Sequence, residues 1–149
     1  MIPIRRLFPA LLLIPAVALG CKKPQEEPAP PVGEAAVPAP VAVQVASFDL
    51  GKAVGPDFKV TAPRNAFGVR DTIYVSIATT GTSAGASLAT RWTFEDGQVV
   101  HEDSRTIAPT GPAVTEFHIM SPQPWPAGAY KVEVMLNGAS AGTKDFTIK

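Results

Sequence analysis

The sequence predicts an all-β fold, an antiparallel β-sandwich of about seven strands, in roughly its last hundred residues. Several windows alternate apolar and polar residues with period two, which is typical of strands half buried against a core. No window combines sustained helical periodicity with capping residues. Glycine and proline, 12 and 16 of the 149 residues, separate many of the alternating segments, as turns between short strands require.

Four windows carry the clearest alternation, and in each we expect the apolar set to face the core. The windows and their inward residues are 72–79 (Ile73, Val75, Ile77), 87–95 (Leu88, Thr90, Trp92, Phe94), 115–119 (Phe117, Ile119) and 130–136 (Tyr130, Val132, Val134, Leu136).

Two dipeptides predict tight hairpin turns. Asp96-Gly97 and Asn137-Gly138 each follow an alternating segment and tolerate the positive φ angles of such turns. A two-residue turn at Asn137-Gly138 would leave Phe146 and Ile148 in the wrong phase to face the core. We therefore predict a β-bulge at Gly142, which absorbs one extra residue.

The first twenty residues have the layout of a secretory signal peptide. Arg5 and Arg6 give a positive start, and an apolar run follows over residues 7–20. Its fourteen residues would span only about 21 Å as a helix, less than the roughly 20 residues that cross a membrane. We therefore expect residues 1–20 to be removed after export.

The apolar run ends in Ala18, Leu19, Gly20 and Cys21, which resembles the lipobox of bacterial lipoproteins. A small residue precedes the obligatory cysteine, while Ala18 stands where the family usually has leucine. The resemblance implies that Cys21 becomes the first mature residue and carries a diacylglyceryl group and an amide-linked acyl chain such as palmitate. Because Cys21 is the single cysteine, lipidation would leave no thiol for a disulfide or a zinc cluster.

Residues 22–46 contain six prolines and six alanines among 25 residues. This composition predicts a disordered tether. Fully extended, it would reach on the order of 80 Å. A proline-rich ligand for an aromatic groove is the alternative. The predicted domains are thus a signal peptide (1–20), the lipidated cysteine with its tether (21–46) and a β domain (47–149), although the alternation over 41–45 could begin the first strand.

The last 25 residues carry a second resemblance. Trp125 to Tyr130 reads Trp-Pro-Ala-Gly-Ala-Tyr before an alternating strand, which resembles the corner before the penultimate strand of immunoglobulin-like domains. The segment from Asn137-Gly138 to the end resembles their closing hairpin. The resemblance implies an immunoglobulin-like sandwich in which the hydroxyl of Tyr130 bonds back to the backbone and Trp92 lies in the core. The disulfide of antibody domains is absent.

Charge and histidine content argue against two function classes. The chain has 13 basic and 13 acidic residues, and removal of Arg5 and Arg6 with the signal leaves 11 and 13, which gives no reason to expect a nucleic-acid partner. His101 and His118 fall on different predicted strands, and the acidic neighbours of His101 do not converge with it. We expect neither a metal site nor a cofactor.

Two pairs of carboxylates flank one predicted hairpin, Glu95-Asp96 and Glu102-Asp103. They could in principle form a weak calcium site or a general acid and base. A polar turn and a solvated strand explain them without such a function, so we assign no catalytic residue.

Trp125, bracketed by prolines, is the one large aromatic residue in a predicted loop. Such a side chain can stack on a sugar or anchor a protein partner, which makes it a possible ligand-binding residue. The other interpretation is that it packs over the end of the core as part of the corner.

These observations favour a membrane-anchored, non-catalytic lipoprotein of the cell envelope, which presents an immunoglobulin-like module to a protein or glycan partner. Its membrane contact would be the lipid on Cys21. Lys22, rather than aspartate, follows the cysteine, which in similar Gram-negative lipoproteins favours the outer membrane, on its periplasmic or outer face. The alternative is an accessory or catalytic component of cell-wall glycan processing, which would require carboxylates that converge in one cleft.

Overall fold

The structure is a computed structural model and describes residues 41–149, so the predicted signal peptide, Cys21 and most of the predicted tether lie outside it. Within this part of the chain there is no helix that is long and apolar enough to cross a membrane. The strands are β1 (Gln44–Gly51), β2 (Ala66–Phe67), β3 (Ile73–Thr80), β4 (Ala86–Phe94), β5 (Gln98–Ile107), β6 (Ala113–Ile119), β7 (Gly128–Leu136) and β8 (Ala139–Ile148).

The strands form two sheets that enclose one hydrophobic core. The smaller sheet has the order β1-β3-β6, and the larger has the order β2-β8-β7-β4-β5. All strand pairs are antiparallel except β2 with β8. The all-β sandwich predicted from the sequence is confirmed, and the two-residue β2 brings the number of strands to eight.

The four alternating windows lie on β3, β4, β6 and β7, and their predicted inward residues form most of the core. Phe94 and Leu136 are half-buried, and the others are buried, as the period of two requires. The fully buried members are Ile73, Val75, Ile77, Leu88, Thr90, Trp92, Phe117, Val132 and Val134.

Aromatic rings surround Phe146 at the centre of the core. The ring centroids of Phe67, Trp92 and Tyr130 lie 5.6, 5.8 and 5.3 Å from that of Phe146. The indole N–H of Trp92 donates to the hydroxyl of Thr90 at 3.2 Å, so the buried polar atoms satisfy each other. Trp92 therefore occupies the core position that the sequence predicts.

The first strand begins earlier than the predicted start of the β domain at residue 47. β1 starts at Gln44, and Val43, already buried, donates its backbone N–H to the carbonyl of Thr82 at 3.2 Å. Residues 44–46 therefore belong to the sandwich and not to the tether, because the alternation over 41–45 lets this segment join a sheet. Gly81 accommodates the incoming chain, since a Cβ atom there would lie 2.4 Å from the carbonyl oxygen of Ala42.

Both predicted hairpins are present. Phe94 pairs with Gln98 across a three-residue loop that ends in Gly97, whose φ is +97°. Leu136 pairs with Ala139 across Asn137-Gly138, where the φ angles of +52° and +79° are those of a tight two-residue turn. These positive angles favour Gly97, Asn137 and Gly138, whereas the remaining positive φ of the first hairpin, +45°, falls on Glu95 and not on Asp96.

The predicted bulge at Gly142 is also confirmed. Val134 pairs with Gly142 instead of Ala141, so Ala141 is the extra residue that returns Phe146 to the core. Gly142 has a φ of +151°, and a Cβ atom there would lie 3.1 Å from the ring of Phe48. Both the backbone conformation and the close approach favour glycine at this position.

Candidate functional site

The corner before β7 is built around Tyr130. Its hydroxyl donates to the carbonyl of Pro126 at 2.9 Å, as the resemblance to immunoglobulin-like domains implies. Burial raises the pKa of the Tyr130 hydroxyl, and the carboxylate of Glu95 raises it further. The corner thus holds a neutral phenol in a hydrogen bond that closes the loop onto the strand.

Trp125 packs into this corner, and both of its N–H groups are used inside the domain. Its backbone N–H donates to the carbonyl of Val69 at 2.7 Å, and its indole N–H donates to the carbonyl of Asp71 at 3.1 Å. Its ring meets that of Tyr130 edge to face, with centroids 6.4 Å apart. This placement matches the corner interpretation of Trp125, and a ligand-binding role stays a prediction.

The loop that receives Trp125 is held by the carboxylate of Asp71. This carboxylate accepts the backbone N–H of Gly68 at 2.6 Å and lies 2.6 Å from the ammonium of Lys52. The hydrogen bond from Lys52, with the one from Gly68, holds the pKa of Asp71 below its usual value, although burial opposes the shift. The loop therefore presents its carbonyl groups to Trp125 in one fixed arrangement.

The four carboxylates near the β4–β5 hairpin do not converge. Glu95 and Asp96 line one surface depression, whereas Glu102 and Asp103 line another. The side chain of Glu102 forms an ion pair with that of Arg91 on the neighbouring strand. The single carboxylate-lined cleft that the glycan-processing alternative requires is therefore not formed by these residues.

The two histidines lie on different sheets. His101 is on β5, the edge strand of the larger sheet, while His118 is on β6 and contacts Glu116 through its Nδ1 atom at 2.6 Å. The ring of Tyr74 lies 5.2 Å from that of His118. Among residues 41–149, no three or more His, Cys, Asp or Glu side chains are grouped so that they could hold a metal ion.

A cleft of about 440 Å³ lies where β1, β8 and the segment before β2 meet. The backbone of that segment is hydrogen-bonded to both sheets, because Arg64 donates its N–H to Leu50 of β1 at 2.9 Å and Asn65 accepts from Thr147 of β8 at 2.9 Å. Seven residues line the cleft, namely Asp49, Leu50, Pro63, Arg64, Asn65, Lys144 and Asp145.

The sequence interpretation missed this cleft. Asp49 and Lys144 are 95 positions apart in the chain, and no local pattern connects them. Pro63, which restricts the backbone just before the basic residue Arg64, is a weak local signal of this segment.

Comparison with known proteins bears on the fold. No protein-family model matches the sequence, and no curated protein matches it either. Among solved structures, an immunoglobulin-like protein from Pseudomonas aeruginosa is similar to this chain, with a TM-score of 0.50 and 11% sequence identity. The match covers 74% of this chain and 99% of that protein. The fold is immunoglobulin-like.

Two further solved structures match this chain with TM-scores below 0.5. The CARDB domain of a Pyrococcus furiosus protein, solved in complex with di-metal ions, matches over 72% of this chain and 88% of that one, with a TM-score of 0.43 and 11% identity. An alkylpurine DNA glycosylase from Pseudomonas fluorescens matches over 72% of this chain, with a TM-score of 0.46 and 14% identity. This chain spans only 30% of the glycosylase.

Proposed function

We propose that this protein is a lipid-anchored component of the bacterial cell envelope, and that its immunoglobulin-like domain is a non-catalytic module that binds a protein or glycan partner. The observation that carries the anchoring is Cys21, the single cysteine, which follows Ala18-Leu19-Gly20 at the end of a short apolar run. Lipidation gives this cysteine a role, and two or more acyl chains hold a protein stably in a membrane.

The binding role is supported by the division of the chain into a predicted tether and a β domain. The proline-rich segment after Cys21 would hold the β domain away from the membrane, at a distance where it can reach a partner. β-sandwiches offer loop clusters and edge strands as binding surfaces, and β5 and β6 are edge strands of the two sheets.

The anchoring is tested with Cys21→Ser, expressed as the full chain in bacteria that are fed a palmitate analogue. We expect the wild-type chain to be labelled and to sediment with membranes, whereas the variant is unlabelled and stays soluble or unprocessed. Lys23→Ser, two residues away and outside the lipobox, is the control and should behave like the wild type. Labelling that persists in the Cys21→Ser chain would refute the proposal.

A further inference from the structure

The turn between β1 and β2 exposes an aromatic ring. Phe58 lies in this turn, its side chain is 55% exposed, and its φ of +60° falls in the left-handed region. A bulky residue adopts this conformation only at a cost in free energy. Strained backbone persists where the surrounding structure holds it and is concentrated at functional positions, and exposed aromatic residues are frequent anchors of protein interfaces. Both observations favour a binding role for the ring.

A groove of about 450 Å³ lies beside the ring of Phe58. Its other walls come from the end of β3, the start of β6 and the residue before β6, and most of them are apolar. The apolar residues are Ala78, Pro112, Ala113 and Val114. A protruding phenyl group and an apolar groove of this volume thus lie side by side on one surface of the domain.

Two charged residues line the groove, and they are the two neighbours of Phe58 in the chain, Asp57 and Lys59. Their charged groups are 3.8 Å apart, and both side chains are more than half exposed. An acid and a base on either side of an apolar residue complement a copy of themselves after a two-fold rotation. Asp57 of each copy then faces Lys59 of the other.

We propose that this surface binds a second copy of the chain through a two-fold contact, in which Phe58 of each copy enters the groove of the other. Because Phe58 also lines its own groove, the two rings meet beside the rotation axis. Aromatic rings attract one another at such distances, beyond the effect of the area they bury. Every contact of this interface occurs twice, once from each copy.

The charges at the groove favour this partner over other occupants. A ligand with one sign of charge would be repelled by either Asp57 or Lys59, and a neutral apolar ligand would cover both without pairing them. The same turn on a second copy supplies the ring and both opposite charges. Two copies anchored in one membrane would also meet at a high effective concentration. This last advantage rests on the proposed anchoring, whereas the interface itself rests on the turn and the groove.

The test co-expresses two copies of the full chain that carry different tags, captures the first tag after mild solubilisation and measures how much of the second is recovered. Phe58→Gly removes the ring, and glycine suits the left-handed φ, so the turn keeps its shape. Met120→Ser is the matched control, because Met120 is 69% exposed and lies outside the groove. We expect Phe58→Gly in both copies to lower the recovery at least about tenfold, since two phenyl groups are no longer buried, and Met120→Ser to leave it unchanged.

Exchange of the charges tests the two-fold geometry. With Asp57→Lys in both copies, or Lys59→Asp in both copies, like charges face each other, and we expect the recovery to fall about threefold or more. A copy with Asp57→Lys and a copy with Lys59→Asp face each other with opposite charges, so this mixed pair should be recovered as the wild type is. The proposal is overturned if wild-type copies are not recovered together, if Phe58→Gly is recovered as the wild type is, or if the mixed pair is recovered no better than either variant with itself. Should a charge variant fail to fold, the Phe58→Gly result decides alone.

Photo-crosslinking in intact cells identifies the occupant directly, with p-benzoylphenylalanine in place of Phe58. A product of twice the mass of the chain that carries both tags supports the second copy, whereas a product formed only with another protein overturns it. All chains compared keep Cys21, so failure of the anchoring proposal would leave these comparisons intact, and loss of the dimer would not affect the lipid labelling.

Discussion

Among residues 41–149, Phe58 is the one bulky apolar residue with a positive φ. Its φ is +60°, in the left-handed region that bulky residues avoid, and its side chain is 55% exposed at the tip of a turn. The turn is closed by hydrogen bonds from Phe58 to Gly55 at 3.0 Å and from Gly55 to Lys59 at 2.8 Å. These bonds hold Phe58 in a conformation that glycine would adopt at lower cost.

Two separate variants, Phe58→Gly and Phe58→Ala, distinguish the effect of the backbone conformation on stability from the effect of the ring. Both variants lose the phenyl group, but only glycine relieves the left-handed conformation. We expect Phe58→Gly to be about 1 kcal/mol more stable to unfolding than Phe58→Ala. Chemical denaturation of the full chain measures the difference, and equal stabilities would show that φ at this position carries no strain.

No pattern in the sequence predicts this conformation. Pro56-Asp57 indicates a turn, yet a turn of this kind would be expected to place Gly or Asn, and not Phe, at the left-handed position. At Asn137-Gly138 the residue types do match the conformation, and there the predicted turn is confirmed. Local prediction therefore succeeds where residue type and backbone geometry agree.

At the scale of elements, the corner before β7 links a loop to a central strand through Tyr130. Because burial raises the pKa of this phenol, the folded state keeps its proton at a pH where the unfolded chain loses it. Stability gained from Tyr130 is therefore complete below about pH 10, the ordinary tyrosine pKa, and falls as the pH rises above it.

Tyr130→Phe removes both the hydrogen bond to Pro126 and this titration. We expect the variant to lose about 1 kcal/mol of unfolding free energy at pH 7, and to lose less of its remaining stability than the wild type above about pH 10. Unfolding curves at several pH values measure both effects. Parallel declines in the two proteins at alkaline pH would contradict the assignment.

Strands at the centre of a sheet were easier to predict than strands at its edge. β4 and β7 each lie between two neighbouring strands and pack one face against the core, so their buried residues alternate with more exposed ones. β5 is an edge strand, most of its side chains are exposed, and only its start after the Asp96-Gly97 turn was predicted. The two residues of β2 are too few to carry any period.

At the scale of the whole molecule, the two sheets are joined through one core, and Phe146 lies at its aromatic centre. Phe146→Ala removes a ring that contacts three others, and we expect a loss of about 3–5 kcal/mol. Phe146→Leu, which keeps most of the volume, should cost clearly less. Denaturation of the full chain tests this, and similar losses in the two variants would show that the space left by the ring closes readily.

The cleft beside β1 and β8 illustrates why a property of the whole molecule cannot be predicted from local sequence patterns. Its walls come from β1, from the segment before β2 and from β8, and each contributes only two or three residues. The alternation along β8 indicates only which side chains face the core. In that pattern Lys144 and Asp145 are simply two polar residues. They line one cleft with Arg64 because of the order of strands in the two sheets. A local hydrophobic period does not specify that order.

The pairing of β1 with β3 also determines how the protein would respond to force. The seven residue pairs of this register run from Gln44, the end nearest the proposed anchor, to Gly51, next to the cleft residues Asp49 and Leu50. If the chain is anchored at Cys21, a load on the domain at the Gly51 end of β1 would pull along this strand and strain its hydrogen bonds to β3 in shear. Bonds strained in this way share the tension and must fail together, so the attachment would resist sudden pulling better than a strand peeled away one pair at a time.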